Sequence, residues 1–178
     1  MKKALGKLRS VLDFVYLAGG VLAAFCLIAI LVLIVLQLLA RWTGEVFPGA
    51  PEYAGYFMAA ASFLAFAHAL QRGSHIRVSI LLNALGSGPR RVLETWCLGV
   101  ACAIAWYFLY WAWDFVRWSW NLGDISQGQD MTPLWIPQSF LLIGAAILAT
   151  ALTDNLIRLL VSGRHAIRRN AVDQGFGE

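Results

Sequence analysis

Ala69-Leu70-Gln71-Arg72-Gly73-Ser74-His75-Ile76-Arg77-Val78 ends a long apolar run in a basic turn. Beyond it a half-apolar segment, Ser79 to Leu85, leaves in a new direction. Two apolar runs precede the turn and two follow it. The side of the membrane on which it lies therefore decides the sidedness of every other segment.

The apolar share explains why a membrane is involved at all. Of 178 residues, 60% are hydrophobic and 13% charged, well above the apolar content of an ordinary soluble domain. A bilayer core takes about 20 residues of helix to cross. Four runs reach that length: Phe14–Ala40, Glu52–Leu70, Val92–Val116 and Leu134–Val161. The expectation is an all-α integral membrane protein, residues 1–178 forming one membrane domain. The first run is about twice the length of a signal's apolar core and lacks a small-residue cleavage site, so it reads as a span. Cys26, Cys97 and Cys102 all fall inside apolar runs with no metal or redox spacing and read as packing residues.

Charge placement orients the spans. Lys2, Lys3, Lys7 and Arg9 precede the first, and Arg72, Arg77, Arg90 and Arg91 separate the second from the third. Arg158, Arg164, Arg168 and Arg169 close the fourth. Only Arg41 and Arg117 fall on the opposite side, with Glu45, Glu52, Asp124 and Asp130. The positive-inside rule puts both termini in the cytosol. These basic residues anchor to anionic phospholipid at the cytosolic face, and no nucleic-acid partner is expected.

Taken in order, the first dozen residues alternate basic and apolar and suit a short helix on the leaflet before span one turns inward. Pro48-Gly49-Ala50-Pro51 breaks the chain before span two, and Glu52 meets the positive end of that helix. Gly55/Ala59, Ala61/Ala65/Ala69, Gly99/Ala103 and Gly144/Ala145/Ala146/Ala149 are candidate close-contact faces. His68 reads as hydrogen-bonded to a neighbouring helix. After the turn, Val78, Leu81, Leu82 and Leu85 share one face beside His75, Ser79 and Asn83, which predicts a flat amphipathic interfacial helix over residues 75–85. Gly86-Ser87-Gly88-Pro89 ends it. Most of the aromatics from Trp106 to Trp120 read as an interfacial belt, with Asp114 and Arg117 spaced to pair. The loop Ser119–Pro133 is rich in turn formers, and Asp154 with Arg158 makes an i, i+4 ion pair on span four.

Catalysis needs convergent polar groups, and no span carries an acid, base or histidine near its middle. No phosphate loop, metal motif or nucleophile elbow is present. No cofactor is expected, and the chemistry favours a scaffold over an enzyme. Two alternatives are a small homo-oligomeric exporter, which would need a membrane-embedded carboxylate, and a heme-bearing electron-transfer subunit using His68 and His75.

Glu52-Tyr53-Ala54, then Ala69 to Val78, then Pro133-Leu134-Trp135-Ile136-Pro137-Gln138 with Ile143-Gly144, resemble the small membrane subunit of tripartite ATP-independent periplasmic (TRAP) transporters. The resemblance spans roughly residues 10 to 162. Ser79 stands where the family often has aspartate, and Leu142 where a proline commonly precedes the Ile-Gly pair. The resemblance implies a bacterial inner-membrane subunit without enzymatic activity. Its partners would be a large elevator-type subunit carrying solute and sodium sites, and a periplasmic solute-binding protein delivering organic acids. Glu52, Arg72, His75, Arg77, Arg90, Arg91, Trp135 and Gln138 are the candidate partner or lipid contacts.

Overall fold

A computed structural model describes residues 2–72 and 87–162. They form four helices: α1 (Lys2–Thr43), α2 (Ala50–Arg72), α3 (Ser87–Leu122) and α4 (Trp135–Ser162). Each is long and apolar enough to cross a membrane. The interfacial helix expected over 75–85 lies outside the described residues.

Two boundaries differ from the sequence expectation. Helix α1 runs unbroken for 42 residues, about 63 Å at 1.5 Å per residue, with no turn between the basic N-terminal stretch and the apolar span. Its first turns are mostly Lys, Leu, Ala and Arg, all strong helix formers, so Gly6 alone, at about 1 kcal/mol, does not break it. Helix α3 starts at Ser87, so Gly88 and Pro89 open a helix instead of closing the preceding segment. Proline is tolerated in a first turn because its missing N–H would have no intrahelical partner there.

The loop ends of α1 and α3 stop by the same device. Glu45 N donates to Ala40 O at 2.9 Å across Gly44, whose φ is +80°. Asp124 N donates to Ser119 O at 3.1 Å across Gly123, at φ +66°. A left-handed residue there turns the chain away while satisfying carbonyls of the last turn, and glycine adopts it without a Cβ penalty.

The helices pack as an open row in the order α1, α2, α4, α3, with α1 and α4 only grazing one another. Small residues set the spacing. A Cβ at Gly19 would lie 2.8 Å from Leu64 O, and one at Gly144 would lie 2.5 Å from the Phe63 carbonyl carbon. Bare backbone therefore lets α2 approach α1 on one side and α4 on the other. One buried cluster joins Ala23 to Ala60, Ala61 and Leu64, and a second joins Tyr16 to Ala67, Leu70, Ala151 and Leu152. Ile147 packs against both, which makes the two clusters one seam. Helix α3 reaches α2 through the stacked rings of Phe63 and Phe108, 5.8 Å apart.

Not every small-residue face is used. Nothing lies within 4 Å of where a Cβ would stand at Gly55 or Gly99, so among the described residues these two glycines meet no other helix. His68 sits against Gly20, whose Cβ would lie 2.8 Å from the imidazole Cγ. Among the described residues it packs on α1 and makes no hydrogen bond to a neighbouring helix.

Candidate functional site

The candidate contacts fall into two groups at opposite ends of the row. Glu52, Trp135 and Gln138 lie at the end carrying the loops after α1 and α3, and Arg72, Arg90 and Arg91 lie at the other. His75 and Arg77 lie outside the described residues.

The loop end is a pinned surface. The segment after α3 folds back on itself: Ser126 N donates to Thr132 O at 2.8 Å and Leu134 N to Asp124 O at 3.0 Å. Asp130 then fastens this clasp to α2. Its Oδ2 accepts from the Tyr56 hydroxyl at 3.0 Å and from Thr132 N at 3.4 Å. Thr132 Oγ1 donates to the Tyr53 hydroxyl at 3.3 Å. Gly128 allows the approach, since a Cβ there would stand 2.7 Å from Glu52 Oε1 and 2.9 Å from Asp130 Oδ1. Partial burial pushes the Asp130 carboxyl up, but hydrogen bonds from Ser126, Thr132 and Tyr56 outweigh it and hold the group at about 2. Met131 adopts φ +47° and stands exposed at the tip.

Trp135 opens α4 and meets Trp120 edge to face, centroids 4.6 Å apart, closing the side of this surface. Gln138 is half-buried, and its Oε1 has no hydrogen-bond partner among the described residues. Glu52, Trp135 and Gln138, candidates from the sequence, lie at this end, whereas Asp130 and Tyr56 were not among the candidates. They are 74 residues apart, and nothing in local spacing links a loop aspartate to a tyrosine on α2.

At the opposite end Arg91 directs Nη2 toward Leu159 O and Leu160 O, both 3.4 Å, so a guanidinium on α3 caps the last turn of α4. Arg158 Nε donates to Asp154 Oδ1 at 3.0 Å, the ion pair expected from i, i+4 spacing. Arg72 is exposed at the last residue of α2, and Arg90 belongs to the first turns of α3.

Between the ends, Thr153 joins α3 to α4. Trp106 Nε1 donates to its Oγ1 at 3.0 Å, and Cys102 Sγ lies 3.2 Å away. Trp106 stands well inside α3. It lies 16 residues, about 24 Å, from the loop end of α3, and its N–H finds a partner within the protein. The expected pairing of Asp114 with Arg117 does not form. The i, i+3 spacing would allow it, but Asp114 is half-buried and Arg117 exposed, and no ion pair joins them.

Four helices long and apolar enough to cross a membrane, with a pinned loop surface at one end, fit a multi-pass membrane protein. Residues 30–162 match the family described as "Tripartite ATP-independent periplasmic transporters, DctQ component". The match covers about three quarters of the chain, and the chain belongs to this family: it is the small membrane component of a TRAP transporter. The family works with a large membrane component and a periplasmic binding protein. A comparison with curated proteins returned no match.

Proposed function

We propose that the chain braces the large, ion-coupled elevator-type subunit and helps dock the periplasmic solute-binding protein during uptake of organic acids. It acts as one unit over residues 1–178 in the bacterial inner membrane, both termini and the 75–85 segment on the cytosolic side. The observation that carries this reading is the open row. A self-sufficient transporter encloses a path, whereas α1 and α3 form uncovered edges with apolar side chains such as Phe25, Leu31, Ile104 and Trp111 exposed along them. Gly55, at a position open to close approach, adds a second place for a partner helix.

The docking half of the reading is supported by the clasp. A surface that must receive a soluble protein repeatedly benefits from being pre-organised, and the Tyr56–Asp130–Thr132 network ties the loop to α2. The cytosolic half is supported by Arg72, Arg90 and Arg91 gathering at the opposite end, where anionic phospholipid would hold them.

The test is to produce the large subunit with and without this chain and compare its yield, thermal stability and solute uptake. Bracing predicts that all three fall without it. A large subunit equally stable and equally active alone would overturn the proposal.

A further inference from the structure

Arg117 lies near the loop end of α3, on the edge helix of the row. Trp113, Arg117 and Trp120 follow one another at i, i+4 and i+7, and with Val116 they line a groove of about 220 Å³. Both indoles are more than half exposed. Among the described residues Arg117 makes no ion pair or hydrogen bond.

Depth identifies what the groove meets. The ring of Trp120 rests on Trp135, the first residue of α4, which sets it level with the loop end of the helices. At 1.5 Å per residue, Arg117 lies about 5 Å and Trp113 about 10 Å below that level. Tryptophan favours the boundary between headgroups and acyl chains, so the guanidinium stands at phosphate depth and Trp113 among the first methylenes. A cation beside hydrocarbon is costly unless an anion or water satisfies it. The groove thus offers one positive charge above an apolar floor, which is the complement of a phosphate above an acyl chain.

We infer that Trp113, Val116, Arg117 and Trp120 form a phospholipid site in the leaflet facing the loops. Arg117 pairs with the headgroup phosphate, and the two indoles and Val116 hold the start of one acyl chain. The site is separate from the basic cluster at the opposite end of the helices, so the protein is lipid-anchored in both leaflets.

Native mass spectrometry of the full-length chain, titrated with dioleoyl phosphatidylglycerol, dioleoyl phosphatidylcholine and dioleoylglycerol, tests this. Both phospholipids should bind more tightly than the phosphate-free diacylglycerol. Arg117→Gln should weaken phospholipid binding about fivefold, Arg117→Lys should largely restore it, and Arg41→Gln should leave it unchanged. Replacing Trp113 and Trp120 by Leu should weaken all three lipids together. Unchanged phospholipid binding in Arg117→Gln would overturn the inference. So would unchanged binding combined with lost co-purification of the large subunit, which would assign Arg117 to a protein carboxylate instead.

Discussion

Replacing Gly144 by alanine should push α4 away from α2. A methyl at that position would stand 2.5 Å from the Phe63 carbonyl carbon, 2.6 Å from its oxygen and 2.7 Å from its Cβ. Unbonded carbons settle at about 3.5–4.0 Å, so one helix must retreat by roughly 1 Å. The obstacle is mostly backbone, which cannot swing aside as a flexible side chain would. Overpacking of this kind costs about 1–3 kcal/mol, offset by up to about 1 kcal/mol that alanine gains over glycine in a helix. The same substitution at Gly55, where nothing lies within 4 Å, carries that gain without the clash. Comparing the two variants cancels the propensity term and leaves about 1–3 kcal/mol, a factor of about 5 to 150 in the folded-to-unfolded ratio. Unfolding by sodium dodecyl sulfate in mixed micelles, followed by circular dichroism, would read the difference. Equal stability of Gly144→Ala and Gly55→Ala would refute the close α2–α4 contact.

Three further outcomes are expected. Asp130 has its carboxyl held at about 2, below the ordinary value of about 3.9, so the clasp should be intact above about pH 4 and released only as pH falls through about 2. Spin labels at residues 47 and 127 should keep a constant separation from pH 7 to 4, and separation already growing at pH 5 would count against that order. Thr153→Val, nearly isosteric, removes the acceptor for Trp106 and should lower stability by about 0.6–1 kcal/mol in the same micelle assay; no change would mean the bond does not join α3 to α4. A single cysteine at residue 124, in a background without native cysteines, should react with a membrane-impermeant reagent from the periplasm and not from the cytosol, as the twelve-to-two split of basic residues requires.

The spans were legible because hydropathy over about 20 residues leaves few alternatives to a helix in a bilayer. The Asp154–Arg158 pair was legible too, since i, i+4 spacing acts within one helix. Pairing between helices was not. Gly55, Gly99 and Gly144 look alike in sequence, yet of these three only Gly144 meets another helix among the described residues. The order α1, α2, α4, α3 depends on which small faces coincide in space, information that no local window holds. Asp130 shows the same limit at the loop end: a turn-forming aspartate in sequence becomes the tie to Tyr56 only once the chain has folded back. The unbroken α1 was hidden because an amphipathic start resembles a surface helix whether or not it continues into the span.

Reconstitution into proteoliposomes addresses the central claim most directly. Purified alone, the chain should take up no organic acid under a sodium or proton gradient, and uptake should appear when the large subunit and the binding protein are added. Gradient-driven uptake by this chain alone would contradict the account.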